Sequence, residues 1–269
     1  MMISKLHDLK QKYFLITGGK GLMGIQHAEA IRNANGQPVL LDISKNLDSA
    51  DDMYAGFPFV LCDVTCEKSI VSAKEEVISR FGLFHGLINN AANNEKMEEG
   101  DEITGTRLED FSLSQWTKDI SVSLTGSMLC SKVFGSWMAE HEGGVIINIS
   151  SDLGIIAPDQ RIYSKEGILE ENQVVKPVTY SVVKHGIIGL TKYLSTYWLN
   201  KNIRSNVLCP GGIFSGQPKE LVHKLTERIP LGRMAEVDEY HGAIQFLCSD
   251  SSKYMNGSVL VVDGGRTAW

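Results

Sequence analysis

The sequence has no long apolar run and no run of lysine or arginine, and each absence excludes a class of protein. A membrane-spanning helix needs about 20 consecutive apolar residues, and the 269-residue chain offers no such segment. The opening MMISKLHDLKQKYF also lacks the apolar core of a signal peptide. The net charge is −6, and without a basic cluster it argues against nucleic acid or a membrane surface as partner.

Cysteine is scarce as well. The five cysteines form neither a CxxC pair nor the histidine-linked spacing of a zinc site, so we expect no metal. Unpaired thiols are typical of the reducing cytoplasm, where we expect the protein to work. The remaining composition, 43% hydrophobic and 22% charged, is that of an ordinary globular protein.

Short apolar runs alternate with longer segments of helical period along the chain. The predicted strands are Tyr13–Thr17, Pro38–Asp42, Phe59–Cys62, Gly86–Asn89, Val145–Ile149, Ser205–Cys209 and Val259–Val262. The predicted helices are Met23–Asn33, Glu67–Phe81, Leu113–Glu140, Thr179–Asn200 and Val237–Ser249. Continuous apolar strands are typical of a parallel sheet covered on both faces. The alternation predicts an α/β fold, one doubly wound domain over residues 1–269.

Three segments fall outside this alternation, at about 93–110, 152–178 and 212–233. Each follows the carboxyl end of a predicted strand. In an open parallel sheet, ligands bind in the crevice beyond those strand ends. We therefore expect the three segments to surround one site.

The stretch YFLITGGKGLMG joins the first strand to the first helix. Glycines at such a turn let backbone N–H groups and the helix N-terminus approach a pyrophosphate. Asp42 ends the second strand 18 residues after Gly24, where a carboxylate can accept both hydroxyls of a ribose but repels a 2′-phosphate. We therefore expect NAD rather than NADP, although Lys20 offers a phosphate a partner.

Further strand ends carry small or polar residues that suit a dinucleotide, among them Asp63 with Val64 in LCDVT and Asn90-Ala91-Ala92 in LINNAAN. The full set of expected cofactor contacts is Gly18, Lys20, Gly21, Leu22, Met23, Gly24, Asp42, Ile43, Asp63, Val64, Asn90, Ala91, Ala92, Tyr180, Lys184, Pro210, Gly211 and Ile213.

Taken together, these motifs resemble the short-chain dehydrogenase/reductase family over nearly the whole chain. The matching pieces are Thr17–Gly24, Asn89–Ala92, Ile147–Ser151, Tyr180–Lys184, Pro210–Gly212 and Val262–Gly265. The resemblance implies a Rossmann-type, seven-stranded parallel sheet with helices on both faces, and a nicotinamide cofactor. It also implies hydride transfer between an alcohol and a carbonyl, and a homo-oligomer, either a tetramer or a dimer. By position it makes Ser151, Tyr180 and Lys184 catalytic, with Ser150 as the alternative to Ser151.

The chemistry supports the choice of Tyr180 over Tyr163. A tyrosine base near neutral pH must be acidified by roughly three pH units, about 4 kcal/mol. A nearby ammonium and an oxidised nicotinamide can supply this in a dry site. Lys184 follows Tyr180 by four residues and shares its helix face. Lys165 follows Tyr163 by two and points elsewhere.

Two local departures from the family pattern concern the cofactor loop and the proton path. Leu22 stands where relatives usually have glycine, so we expect Gly21 to take over the close approach to the cofactor. Ser123 stands where many relatives have an asparagine that kinks the helix and holds a water near the lysine. We expect Ser123 to act in a proton relay.

A third departure is the 29-residue distance from Ser151 to Tyr180, which is longer than in many relatives. The extra chain is the polar stretch 159–173, and such loops are usually functional or disordered. Its anchors flank the active site, so it is either a wall or lid over the substrate, or a subunit-contact loop.

The polar loops suggest a small, hydroxyl-rich substrate such as a sugar, a polyol or a sugar derivative. Arg161 and Lys165 could bind an anionic group on it. The alternatives are a reductase of 3-oxoacyl thioesters and a nicotinamide-binding protein that has lost catalysis.

Overall fold

The computed structural model of the chain describes residues 7–43, 56–93 and 105–269. Its strands form a seven-stranded sheet in the order β3-β2-β1-β4-β5-β6-β7, and every neighbouring pair is parallel. The strands are β1 (Tyr13–Thr17), β2 (Gln37–Asp42), β3 (Phe59–Leu61), β4 (Gly86–Asn89), β5 (Gly144–Ile149), β6 (Ile203–Pro210) and β7 (Val259–Val262). The predicted parallel α/β fold is confirmed, with strand ends displaced by at most two residues.

Helices cover both faces of the sheet. They are α1 (Leu22–Asn33), α2 (Glu67–Phe81), α3 (Leu113–Ile120), α4 (Gly126–Cys130), α5 (Ser136–Glu140), α6 (Val178–Tyr197), α7 (Lys219–Thr226) and α8 (His241–Cys248). Successive strand residues point to opposite faces: Phe14 packs in a core with α1 and α8. Its neighbour Leu15 packs in a second core with α2, α5 and α6. The central strands β1, β4 and β5 are largely apolar because both of their faces are buried.

Two parts of the helical prediction need correction. The expected helix 113–140 is interrupted by π-helical segments at Ser121–Thr125 and Ser131–Gly135. The segment 212–233, expected to be a loop, contains α7 after Pro218. The segment 152–178 holds short 3₁₀ turns at Asp152–Gly154, Gln160–Tyr163 and Glu170–Asn172.

From β1 the chain adds β2 and β3 towards one edge of the sheet, and from β4 it adds β5, β6 and β7 towards the other edge. The strand order therefore reverses between β1 and β4. At this reversal the connections diverge and leave a crevice at the carboxyl ends of the strands. Part of the predicted segment 93–110, from 94 to 104, lies outside the described residues. Within the described residues, no helix combines the length and the apolar character needed to cross a membrane.

Candidate active site

The crevice holds a cavity of about 1430 Å³. This exceeds the roughly 300–1,000 Å³ usual for one small ligand. Residues of all three predicted segments line it, as do the first glycine-rich turn and the ends of β2 to β6. The expectation that these segments surround one site is therefore met by their described residues.

The glycine-rich turn forms one end of the cavity. Gly18 adopts a left-handed φ of 59°, and a Cβ there would lie 2.9 Å from the Cα of Ala91. Gly18 and Gly21 line the cavity with Lys20, Leu22 and Met23. At Gly18 and Gly21 the turn thus brings backbone, with no side chain, to the cavity surface.

Gly24 is different, because it does not line the cavity. It is buried in α1, and a Cβ there would lie 2.2 Å from the carbonyl oxygen of Gly18. Gly24 therefore sets the close packing of the helix against the turn, and its expected contact with a cofactor stays a prediction.

Asp42 lies at the end of β2 on the cavity wall, beside Ile43. Its Oδ2 accepts the backbone N–H of Lys20 at 3.0 Å and its Oδ1 that of Ile43 at 2.8 Å. The ammonium of Lys20 lies 4.3 Å from the centre of the Phe59 ring. The carboxylate is thus fixed at the cavity edge and keeps lone pairs for further donors.

The ends of β3 and β4 supply the next part of the wall. Asp63, Val64, Asn90, Ala91 and Ala92 all line the cavity. The Asn90 side chain donates to the carbonyl oxygens of Thr17 and Gly18, at 3.1 Å each. The amide N–H groups of Asn90 therefore hold the glycine-rich turn in place.

Ser151, Tyr180 and Lys184 meet at the other end of the cavity. Ser151 follows β5, and the two other residues lie one turn apart in α6. Lys184 Nζ lies 5.7 Å from the centre of the Tyr180 ring and donates to the carbonyl of Ile149 at 3.1 Å. Ser150 is engaged elsewhere, since its hydroxyl donates to the carbonyl of Lys184 at 2.7 Å. The geometry favours Ser151 over Ser150.

Burial raises the pKa of Tyr180, and a hydrogen bond with Ser151 opposes that effect. The expected acidification of the phenol also needs the charge of an oxidised nicotinamide, so it stays a prediction. Burial, reinforced by the charge of Lys176, lowers the pKa of Lys184 from 10.5 to about 8.

Ser123 is buried in the first π-helical segment and lines the cavity. Its hydroxyl accepts the backbone N–H of Asn93 at 3.3 Å, and its carbonyl accepts the hydroxyl of Ser127 at 2.6 Å. The helix is thus distorted at the expected position although serine replaces asparagine there.

Pro210, Gly211 and Ile213 close the cavity on the side of β6. A Cβ on Gly211 would lie 2.8 Å from the Cα of Asp263. Ile213 pairs with Ala235 in an isolated parallel bridge. This bridge ties the segment that follows β6 to the region before α8.

The long segment before α6 forms a wall of the cavity through Ile162, Tyr163 and Lys176. Arg228, just beyond α7, donates from Nε to Asp159 Oδ2 at 2.7 Å. Ile162 packs with residues of and around α7 in one apolar cluster. Arg161 and Lys165 do not line the cavity, so the expected anion contact from them is not found.

The sequence did not reveal the buried carboxylate of Asp119, which bonds the residue before Tyr180. Thr179 donates from its hydroxyl to Asp119 Oδ2 at 2.5 Å. Asp119 Oδ1 accepts from the side chains of Gln115 and Asn93, at 2.8 and 2.6 Å. This network fixes the first turn of α6, where Tyr180 lies. Each partner is polar and unremarkable in sequence, so no local signal identifies the group.

A second missed pair lies behind the serine. Asp152 accepts from the Ser151 hydroxyl at 2.7 Å and from Arg266 Nη1 at 2.8 Å. Both charged side chains are buried, and both residues border the cavity. The position of Asp152 directly after Ser151 is the signal that could have found it.

Comparisons with known proteins agree with this geometry. A family model described as enoyl-(acyl carrier protein) reductase matches residues 21–267. D-threitol dehydrogenase of Mycolicibacterium smegmatis is 29% identical over 96% of this chain and 94% of its own.

Solved structures share the fold over nearly the whole chain. A short-chain dehydrogenase of Leptospira borgpetersenii with bound NAD⁺ has a TM-score of 0.82 and 29% identity, covering 97% of this chain and 94% of its own. A gluconate 5-dehydrogenase of Burkholderia cenocepacia, in complex with NADP and tartrate, has a TM-score of 0.82 and 26% identity, covering 99% of each chain. With the matched family model, the parallel sheet and the shared motifs, the chain belongs to the short-chain dehydrogenase/reductase family of oxidoreductases.

Proposed function

We propose that this protein interconverts a secondary alcohol and a ketone of a small, polyhydroxylated molecule, with NAD as hydride acceptor or donor. The observation that carries the proposal is that Ser151, Tyr180 and Lys184 line the same cavity as the glycine turn and Asp42. One cavity thus offers places for both reactants.

The residues present fit a dinucleotide. α1 begins at Leu22, directly after the glycine turn, and the N-terminus of a helix suits a pyrophosphate. Asp42 stands at the end of β2 with free lone pairs for two ribose hydroxyls, and its charge disfavours a 2′-phosphate. NAD is therefore proposed over NADP, although one similar protein was solved with NADP.

Tyr180 is the proposed acid/base. A bound nicotinamide ring would supply the hydride acceptor and, when oxidised, a positive charge. Since burial raises the pKa of Tyr180 in the protein alone, this charge and Lys184 together must favour the phenolate. Tyr180 then accepts the hydroxyl proton of the substrate, and Ser151 holds the substrate oxygen.

Lys184 and Ser123 are proposed to complete the proton path. The pKa of Lys184, lowered to about 8, lies near neutrality, where an amine exchanges protons readily. Ser123 lines the same cavity and accepts the backbone N–H of Asn93, and it is proposed as a relay residue.

The wall around the proposed substrate end is mixed in polarity. It presents polar groups from Gln115, Tyr163 and Gln217, and apolar ones from Ile162 and Met234. The polar groups, together with the similarity to a D-threitol and a gluconate dehydrogenase, support a hydroxylated substrate. We propose that segment 159–173 forms a wall of the substrate site. We also propose that the protein assembles as a homo-oligomer.

The test is a panel of polyols, sugars, sugar acids and 3-oxoacyl thioesters with NAD and NADP, following absorbance of the reduced nicotinamide. Tyr180→Phe should abolish turnover while NAD binding, measured by calorimetry, persists. The matched control is Tyr193→Phe, an exposed tyrosine on the same helix, which should behave as wild type.

Three results would contradict the proposal. Turnover of 3-oxoacyl thioesters alone would favour the acyl-carrier chemistry that the family model's description names. NAD binding without turnover of any compound would favour a nicotinamide-binding protein. Unchanged turnover in Tyr180→Phe would remove the tyrosine from the chemistry.

A further inference from the structure

A buried ion pair lies directly behind the proposed catalytic serine. Arg266 Nη1 donates to Asp152 Oδ2 at 2.8 Å, and the two side chains are 7% and 3% exposed. The pair joins residues 114 positions apart, from the end of β5 and the turn after β7. Removing two charges from water costs about as much as their attraction returns, so stability alone gives a weak reason for the pair.

The pair acts on the only hydrogen that Ser151 can donate. A serine hydroxyl has one hydrogen and two lone pairs. Ser151 directs its hydrogen to Asp152 Oδ1 at 2.7 Å and accepts the backbone N–H of Leu153 at 3.2 Å. In this arrangement Ser151 presents a lone pair, and no hydrogen, to its remaining neighbours. Tyr180 is one of those neighbours, since it lines the same cavity as Ser151, and Ser151 acts to lower its pKa.

We propose that Asp152 and Arg266 are positioning residues that set where the Ser151 hydrogen points, and so how readily Tyr180 gives up its own. A carboxylate competes with a phenolate for the serine hydrogen. Arg266 draws the charge of Asp152 towards itself and weakens that competition. The inference rests on the proposed function only in taking Tyr180 as the acid/base.

The charges of the pair act on Tyr180 in opposite directions. After burial, which raises the pKa of Tyr180 most, the charge of Asp152 raises it further and that of Arg266 lowers it. Among the described residues, two other cations face the ring: Lys184 on its own helix, at 5.7 Å from the ring centre, and Lys176 from the wall, at 4.0 Å. The four variants proposed below leave both lysines in the sequence, so their charges are common to every comparison.

The test compares Asp152→Asn, Arg266→Gln, the double variant and Arg266→Lys. Asp152→Asn keeps the shape, removes the charge and frees the serine hydrogen, so the pKa of Tyr180 should fall by about one pH unit. Arg266→Gln should raise it by a similar amount. The double variant should lie between them, and Arg266→Lys, which keeps the charge, should stay near wild type.

Two readouts separate this inference from the proposed function. The first is the acidic limb of the kcat–pH profile for alcohol oxidation. The second needs no substrate: it is the tyrosinate absorbance of the NAD-bound protein during a pH titration. For each variant, the titration of the same variant carrying Tyr180→Phe is subtracted, so that only the signal of Tyr180 remains. Opposite shifts in the titration without any turnover would support the pair and sink the proposed function. Turnover without opposite pKa shifts would support the proposed function and contradict the inferred role of the pair.

A purely structural pair would give a different result. Both single variants would then lose stability, with the Tyr180 pKa unmoved or moved in the same direction. That outcome overturns the inference. If Arg266→Gln does not fold, the comparison of Asp152→Asn with Arg266→Lys decides, because only the former should lower the pKa.

Discussion

Lys184 should destabilise the folded protein at neutral pH, so removing its charge should stabilise the fold while it abolishes catalysis. The side chain is buried, and burial is the largest cause that lowers its pKa from 10.5 to about 8. At roughly 1.4 kcal/mol per pH unit, this difference corresponds to about 3 kcal/mol. Lys184→Met keeps the length and loses the hydrogen bond to Ile149, worth about 1 kcal/mol. We expect a net gain of about 2 kcal/mol at pH 7.

The pH dependence follows from the direction of the shift. Below pH 8 the lysine is charged in both folded and unfolded protein, so the folded state carries the full penalty of a buried charge. Between pH 8 and 10.5 the folded protein releases the proton before the unfolded chain does, and the penalty disappears. The advantage of Lys184→Met should therefore be largest below pH 8 and vanish by about pH 10.5.

The assay is urea unfolding of wild type and variant at several pH values, together with NAD turnover. Lys192→Met is the control, because Lys192 is exposed on the same helix. Its free energy of unfolding should match that of wild type at each pH. A Lys184→Met protein less stable than wild type at pH 7, or with an advantage that does not change with pH, would refute the reasoning.

Two further predictions concern packing around the cavity. In Gly24→Ala the new Cβ would lie 2.2 Å from the Gly18 carbonyl, so α1 and the turn must separate, with a loss of about 1–3 kcal/mol in unfolding free energy and weaker NAD binding. In Gly21→Ala the new Cβ would lie 3.3 Å from its nearest neighbour, the Gly18 carbonyl oxygen. NAD affinity, measured by calorimetry, should therefore fall without a comparable loss of stability. A loss of unfolding free energy in Gly21→Ala equal to that in Gly24→Ala would contradict this prediction. Asp159→Asn weakens the contact with Arg228 and should raise substrate KM about 3- to 10-fold at unchanged kcat. Arg161→Gln is its control, since Arg161 bonds the same carboxylate from a side chain that is 84% exposed; an equal rise in KM there would argue against a role for the wall.

The parallel sheet could be predicted because its signals are local. Each strand is a short apolar run, and a residue such as Leu15 is apolar because helices cover both faces of the sheet. The proposed cofactor end was also readable, since the glycine turn and Asp42 occur at fixed places relative to β1 and β2. Tyr180 and Lys184 share a helix, so their spacing alone places them together.

Other features depend on contacts between distant parts of the chain. Arg266 reaches Asp152 across 114 positions, and nothing near either residue marks the partner. α7 has only eight residues, and it packs on Ile162 of the wall. The π-helical segments have no sequence pattern that sets them apart from an ordinary helix. The raised pKa of Tyr180 depends on burial, which only the assembled fold determines.

The contact between the wall and α7 constrains how a substrate enters. Lys224 of α7 donates to the carbonyl of Ser164 in the wall at 2.6 Å, and Arg228 holds Asp159 just beyond the same helix. These bonds and the apolar cluster join α7 to segment 159–173. A movement of that segment that widens the entrance of the cavity must therefore move α7 with it. Substitutions on α7 should then alter the association rate constant of a substrate whose reacting carbon they never touch.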